Sequence, residues 1–209
     1  YNAIGLLPTN KVVEVDRASL VAGYVGQTAI RVQEVINQAI GGVLFIDEAY
    51  SLASDAGAGF GDEAISTLVK AMEDHRENLA VIVAGYKDPM KSFIDSNQGL
   101  KSRFQNVIHF PDYTQVELSQ IFMNLCAANE MNISEEGSAK LKKYLADVNP
   151  IGEHGNARFI RNLFEKMFAS LSNRAASDGL IEIDELKEFT HLDVPTAEPR
   201  KTALGFGPS

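Results

Sequence analysis

The chain has 209 residues, of which 45% are hydrophobic and 22% charged, a composition ordinary for a globular protein that buries a core. Lys and Arg number 19 against 28 Asp and Glu, and the resulting net charge of −9 argues against nucleic acids or anionic membranes as the main partners. The single cysteine, Cys126, excludes an intrachain disulfide framework and favours a reducing, cytoplasmic compartment, and no apolar run approaches the roughly 20 residues of a membrane span.

Four apolar runs in the first half of the chain predict strands. Lys11–Val15 is a short β-branched run. Three further runs are continuously hydrophobic, as in parallel strands covered on both faces: Val43–Ile46, Leu79–Ala84 and Val107–Phe110.

Helical patterns separate these runs. Thr28 is the predicted cap of one helix, and Asp62 is the predicted cap of another, which follows a loop rich in Gly, Ala and Ser from Ala53 to Gly61. Strands that alternate with helices predict right-handed crossovers and a layered α/β domain over residues 1–112.

The pattern becomes helical after this domain. Thr114 and Glu117 form a predicted capping box for a helix that runs to about Asn129. Ser134 is the predicted cap of a second helix, and a third spans roughly 156–176.

These helices predict a small helical lid over residues 113–190. Asp178-Gly179 is a predicted turn within it, and Cys126 lies in an apolar pattern typical of a buried side chain. Residues 191–209 are polar and contain proline, which predicts an extended or disordered tail.

The sharpest chemical signal is the pair Asp47-Glu48, directly after the run Val43–Ile46. Two carboxylates at the carboxyl end of a buried parallel strand are costly unless a cation meets them, and ligand sites of open α/β sheets lie at that edge. Mg²⁺ with a nucleotide is the natural occupant, with Asp47 holding the metal through water and Glu48 polarising the attacking water. The alternative is a simple helix N-cap.

The segment Val43–Tyr50 resembles the Walker B segment of AAA+ ATPases, in particular the group that contains the red-type rubisco activase CbbX and stage V sporulation protein K. The resemblance runs from about Lys11 to Arg161. Other segments that carry it are Val21–Thr28, which is similar to the first pore loop of the group, Leu79–Tyr86, Gly99–Phe104, Phe110–Tyr113 and Gly155–Arg158.

This resemblance implies a three-layer P-loop-type nucleotide-binding core followed by a helical lid, with ATP and Mg²⁺ as cofactors. It also implies hydrolysis in a hexameric ring that remodels a protein substrate. Tyr24, with Val25 and Gly26, would grip that substrate in the central channel. Arg103 would stabilise γ-phosphate charge on the neighbouring subunit, and Arg158 would reach the phosphates of its own subunit.

Three of the residues have an alternative interpretation. A turn tyrosine packed on its own domain is the alternative for Tyr24, and a surface arginine is the alternative for Arg103. Many AAA+ proteins place an asparagine after the strand that corresponds to Leu79–Ala84, whereas this sequence reads Gly85-Tyr86. Tyr86 either takes the polar catalytic role there or packs.

The 209 residues contain no Gly-x-x-x-x-Gly-Lys-Ser/Thr, the Walker A loop whose backbone N–H groups cradle phosphates. In the resembling proteins this loop and a central strand lie upstream of the equivalent of Lys11. Because the chain begins at Tyr1 without an initiator Met, we expect a fragment of a longer ATPase, lacking an interior strand and unable to bind ATP normally. The alternative is a degenerate domain that acts as a non-hydrolysing assembly scaffold.

Overall fold

A computed structural model of the chain describes residues 1–24, 26–53, 59–148, 155–176 and 186–197. The chain divides into two compact units, Tyr1–Ile108 and His109–Ser209. None of the described helices combines the length and the apolar composition needed to cross a membrane.

Three parallel strands form the sheet of the first unit, in the order β1 (Val12–Val15), β2 (Val43–Ile46) and β3 (Ala80–Val83). Val15 pairs with Ile46, which in turn pairs with Val83, so the carboxyl ends of the strands lie level. Three of the four predicted strands are thus confirmed.

Helices and one 3₁₀ turn surround this sheet. They are α1 (Arg17–Leu20), α2 (Gln27–Ala39), the 3₁₀ turn Ala49–Ala53, α3 (Phe60–Asp74), α4 (Lys87–Asp95) and α5 (Gln98–Arg103). Ile36 of α2, Leu44 of β2, Leu68 of α3 and Leu100 of α5 are at most 1% exposed and belong to one hydrophobic core. Burial of such side chains is the main term that holds the helices to the sheet.

The predicted caps of α2 and α3 are wrong. α2 follows Gly26, at φ 79°, and α3 follows Gly59, at φ 70°. Glycine adopts this left-handed conformation without a Cβ penalty, so it starts the helix, and Thr28 and Asp62 lie in the first turn instead. The buried Thr28 hydroxyl accepts a hydrogen bond from the Ala22 N–H at 3.2 Å.

The predicted strand Val107–Phe110 is also wrong. These residues are not in a strand, and the side chains of Val107, Ile108 and Phe110 are 86%, 81% and 85% exposed. β3 is the last strand of the sheet, and no described strand pairs with its outer edge. A strand needs a neighbour for its backbone hydrogen bonds, so without one beside β3 these apolar residues remain in solvent.

The second unit contains α6 (Gln115–Ala128), β4 (Asn132–Ile133), α7 (Glu135–Val148), α8 (Asn156–Ala175) and β5 (Glu188–Phe189). The three predicted helices and the capping box of Thr114 and Glu117 are confirmed. β4 pairs in parallel with β5, and Phe189 packs against Phe122 and Phe164 with ring centroids 5.9 and 5.4 Å apart.

Packed structure continues past the expected start of the tail. Asp193 and Val194 are only 3% and 1% exposed. The Asp193 carboxylate accepts hydrogen bonds from Nη2 of Arg174 at 3.0 Å and from the N–H of Thr190 at 2.8 Å. This pair, with a buried carboxylate and a partly exposed arginine, connects residues 190–193 to α8. The predicted turn Asp178-Gly179 lies outside the described residues.

Candidate active site

Asp47 and Glu48 lie at the carboxyl edge of the sheet, directly after its middle strand. The Asp47 N–H donates to the Val15 carbonyl at 2.9 Å, and the Ala84 N–H donates to the Ile46 carbonyl at 2.9 Å. These two bonds extend the parallel hydrogen-bond pattern of β2 with β1 and with β3. They hold residue 47 level with the carboxyl ends of both neighbouring strands. Both acidic side chains are exposed there.

Glu48 has an unusual backbone conformation for a residue with a side chain. Its φ of 46° lies in the left-handed region, which disfavours L-residues by roughly 1–2 kcal/mol. Its N–H donates to Oδ1 of Asp47 at 3.0 Å, and its carbonyl accepts from the Ser51 N–H at 2.8 Å. The surrounding hydrogen bonds impose this strained turn, and strain of this kind is typical of functional sites.

An open cleft of about 650 Å³ lies beside the two carboxylates. Asp47, Glu48 and Ser51 line one part of it, and Asp16 and Arg17, which follow β1, line another. Asp16 and Arg17 were not among the predicted site residues. A charged pair directly after a strand at the same sheet edge was the signal that would have identified them.

Tyr50 is a second residue that the sequence analysis did not assign to the site. Burial, followed by the negative charge of Glu48, raises the pKa of the Tyr50 phenol above its usual value. The Tyr50 ring centroid lies 6.5 Å from that of Tyr86.

Tyr86 is the aromatic neighbour of Tyr50. It precedes α4 and is 65% exposed, and its phenol makes no hydrogen bond to any described residue. The structure therefore brings Asp47, Glu48, Tyr50 and Tyr86 into one neighbourhood.

Arg103 is the last residue of α5. Its Nη2 lies 3.0 Å from Oε2 of Glu73, and its Nη1 donates to the Gly99 carbonyl at 3.3 Å. Its hydrogen-bond partners include none of the predicted site residues. Lys101, on the same helix, pairs with Asp95 at 2.8 Å.

Tyr24 of the predicted pore loop is 73% exposed. This exposure disfavours the alternative of a turn tyrosine packed on its own domain. Gly26 is the left-handed residue that begins α2, and Val25 lies outside the described residues.

Arg158 belongs to the second unit and lies in the exposed first turn of α8. It pairs with no carboxylate among the residues that the structure describes. The preceding Asn156 has a φ of 47°, and its side chain donates to Asp112 at 2.6 Å and accepts from the Tyr113 N–H at 3.1 Å. These bonds fix the start of the helix that carries Arg158.

Comparison with known proteins identifies the family. Residues 3–112 match the sequence profile of the ATPase family associated with various cellular activities (AAA). The chain belongs to the AAA family. Residues 114–203 match the profile of the AAA lid domain, so the second unit of this AAA protein is of the lid type.

Curated relatives confirm the predicted group. The chain is 42% identical over 175 residues to stage V sporulation protein K of Bacillus subtilis, covering 82% of this chain and 54% of that protein. It is 36% identical over 204 residues to CbbX of Cereibacter sphaeroides, covering 96% and 66%. The AAA chain thus spans between half and two thirds of the length of these relatives.

Solved structures confirm the fold class. The FIGL-1 AAA domain in complex with ADP superimposes with a TM-score of 0.62 at 20% identity, covering 86% of this chain and 59% of that chain. A RuvB mutant of Thermotoga maritima superimposes with a TM-score of 0.59 at 20% identity, covering 86% and 52%. At this identity the likeness concerns the α/β core and helical lid alone.

Proposed function

We propose that the protein to which these 209 residues belong hydrolyses Mg-ATP and uses the reaction to remodel a protein partner. The observation that carries the proposal is the adjacent, exposed pair Asp47 and Glu48 at the carboxyl end of the middle strand in a AAA-family sheet. Carboxylates at this edge suit a magnesium ion that arrives with a nucleotide.

The two carboxylates have different roles in this proposal. Asp47 would hold the magnesium ion through water, and Glu48 would accept a hydrogen bond from the attacking water and polarise it. No group of three or more His, Cys, Asp or Glu residues within the described ranges is arranged to hold a metal by itself. Magnesium keeps several waters and binds substrate phosphates, so one acidic side chain near the phosphates is sufficient. When bound, the ion neutralises charge on those phosphates.

Two arginines complete the proposed chemistry. Arg103 acts on the nucleotide of the neighbouring subunit, because its fixed charge and planar fork suit an oxygen-rich anion. To do so it exchanges its present partner, Glu73, for that anion. Arg158, in the lid, contacts the phosphates of its own subunit.

We further propose that the phosphate-binding loop and its strand lie upstream of Tyr1 in the native protein. Two apolar surfaces support this proposal. β3 ends the described sheet although it consists of Ala80 and three aliphatic residues, and Ile82 is 41% exposed. The segment Val107–Phe110 is apolar and exposed as well. A strand placed between β3 and Val107–Phe110 would supply hydrogen-bond partners for the backbone N–H and C=O groups of both segments.

The partner in the proposed reaction is a polypeptide. Tyr24 presents an exposed aromatic ring on a loop that ends at a left-handed glycine, and an aromatic ring makes apolar contacts with little dependence on sequence. In a hexameric ring, six such side chains would face one channel. In the native protein, Tyr24→Ala then abolishes stimulation of ATP turnover by an unfolded polypeptide, whereas Tyr24→Phe retains it.

Calorimetric titration with Mg-ATP tests the proposal. The protein produced from the complete gene binds Mg-ATP and the 209-residue chain does not, because the phosphate loop is supplied from outside this chain. Asp47→Asn weakens the magnesium-dependent part of the affinity in the complete protein. If the complete protein does not bind nucleotide, the proposal fails and the non-hydrolysing scaffold replaces it.

A further inference from the structure

The lid helix α8 begins differently from α6. The side chain of Thr114 caps α6, whereas the residue before α8 is Gly155, at φ 87°, which provides no side-chain cap. Asn156 follows with a φ of 47°, so two successive residues lie in the left-handed region. Asparagine tolerates this region better than most residues with a side chain, so the backbone conformation itself favours Asn at position 156.

The Asn156 side chain binds the segment through which the chain enters the lid. Its Nδ2 donates to Oδ1 of Asp112 at 2.6 Å, and its Oδ1 accepts from the Tyr113 N–H at 3.1 Å. One partner is an acceptor and the other is a donor, and an amide supplies both functions in one side chain. The partners lie 44 and 43 positions away along the chain, so these are tertiary contacts and not a local helix cap.

The contacts of Asn156 act mainly on the first turn of α8. The capping box of Thr114 already fixes the start of α6. The rings of Phe122 of α6 and Phe164 of α8 have centroids 5.8 Å apart, so a shared aromatic core joins the two helices further along their length. The bonds of Asn156 therefore add a constraint at the end of α8 where the exposed Arg158 lies.

We propose that Asn156 is a positioning residue for Arg158: by binding Asp112 and the Tyr113 backbone, it fixes the first turn of α8 in the orientation from which Arg158 contacts the phosphates. This inference rests on the proposed function, since it needs Arg158 to bind the nucleotide of its own subunit.

The physical reason is the entropy that binding has to overcome. An arginine side chain has several rotatable bonds, and ordering them reduces what a phosphate contact gains. If the first turn of the helix also had to be ordered, the gain would be smaller still, because helix ends fray when nothing holds them. Asn156 orders this turn before the nucleotide binds, so Arg158 loses only its own side-chain freedom.

The affinity of the complete protein for Mg-ATP tests this inference. Asn156→Asp retains a residue that tolerates the left-handed backbone, but it replaces the donor to Asp112 with a carboxylate that repels it. We expect the affinity to fall about tenfold, the effect of losing one hydrogen bond to a charged group. Asn129→Asp is the matched control, because the Asn129 side chain donates to the Leu125 carbonyl of its own helix at 2.8 Å, and its affinity equals that of the wild type.

Two further variants show whether the contact with Asp112 is the cause. In the Asn156→Asp background, Asp112→Asn supplies an amide that donates to the new carboxylate, and that carboxylate still accepts from the Tyr113 N–H, so the affinity recovers. Asn156→Gly removes both bonds without adding a charge, and glycine adopts the left-handed backbone without strain, so it loses affinity as Asn156→Asp does. Wild-type affinity of Asn156→Gly overturns the inference, even if Asn156→Asp is unstable.

A double-mutant cycle with Arg158→Ala separates positioning from stability. Without Arg158, Asn156→Asp causes no further loss of affinity, because the group that it orients is absent. Its effect on urea unfolding of the nucleotide-free protein is instead the same with and without Arg158. An equal loss of affinity in both backgrounds would show that Asn156 has only a structural role, and it would overturn the inference.

The outcomes distinguish the two proposals. If the complete protein does not bind Mg-ATP, or if Arg158→Ala leaves the affinity unchanged, the proposed action of Arg158 fails and the positioning role fails with it. If Arg158→Ala weakens binding while Asn156→Asp equals the wild type, only the positioning role of Asn156 is overturned and the ATPase proposal stands.

Discussion

Arg103 and Glu73 form an ion pair, with Nη2 of the arginine 3.0 Å from Oε2 of the glutamate. The pair links α5 to the end of α3. The arginine side chain is 26% exposed and the glutamate side chain 56%, so water screens the interaction and keeps the pair separable. An arginine held in this way is oriented but still able to transfer to a stronger anion.

Replacement of Arg103 tests its proposed action on a neighbouring subunit. In the complete protein, Arg103→Ala lowers ATP turnover by about 10³-fold or more, the usual contribution of such an arginine, with little loss of nucleotide affinity. Arg103→Lys does not restore turnover, because an ammonium lacks the planar fork.

Mixing two inactive variants shows whether the arginine acts in trans. Subunits with Arg103→Ala retain Glu48, and subunits with Glu48→Gln retain Arg103. Mixed rings therefore contain interfaces with both intact groups and recover part of the activity. Inactive mixtures, after exchange of subunits has been demonstrated, would contradict action across an interface.

Asp193 supports the lid through a buried interaction. We expect Asp193→Asn to lower the free energy of unfolding of the lid by roughly 2–3 kcal/mol, because it weakens charge-assisted hydrogen bonds to Arg174 and Thr190. Glu73→Gln is the matched control on the exposed ion pair and changes stability by less than about 1 kcal/mol. Urea unfolding measures both, and equal effects would show that burial of Asp193 is not the deciding factor.

The same interaction makes lid stability depend on pH. Burial acts to raise the pKa of Asp193, but hydrogen bonds from Arg174 and Thr190 outweigh it and hold the pKa below the ordinary value of 3.8. A depressed carboxyl pKa stabilises the folded state above the unfolded pKa, and this stabilisation is lost as pH falls through the folded pKa. Below about pH 4 the difference in stability between wild type and Asp193→Asn should therefore shrink, as unfolding curves at successive pH values would show.

Cys126 is expected to be unreactive in the folded protein. It is 3% exposed, and burial raises the pKa of its thiol to about 11. At pH 8 only about one thiol in 1,000 is ionised at that pKa, and the reagent cannot reach it. A disulfide reagent such as DTNB then labels Cys126 only after unfolding. Rapid labelling of the native chain would place the cysteine at the surface.

Much of this architecture was predictable because it is set by local patterns. The strand runs at 43–46 and 79–84 are continuously apolar, and the capping box of Thr114 and Glu117 is a local hydrogen-bond signal. The starts of α2 and α3 were wrong because left-handed Gly26 and Gly59 precede the side chains that looked like caps. The short helices α1, α4 and α5 carry too few periodic residues to be read from pattern.

Interactions between distant segments set the limit of prediction. The apolar run Val107–Phe110 indicates burial, but whether it forms a strand depends on a neighbour that local sequence does not specify. In the site, Asp47-Glu48 was predictable from its place after a strand. The contact of Tyr50 with Gly85 joins residues 35 positions apart, which is the difference of their sequence numbers, and only the fold reveals it.

Turnover of Mg-ATP by the Glu48→Gln variant of the complete protein tests the central claim most directly. The account predicts wild-type affinity for Mg-ATP and a rate at least about 100-fold lower, because glutamine cannot accept the proton of the attacking water. Equal rates for the variant and the wild type would contradict the assignment of Glu48 and, with it, the proposed active site.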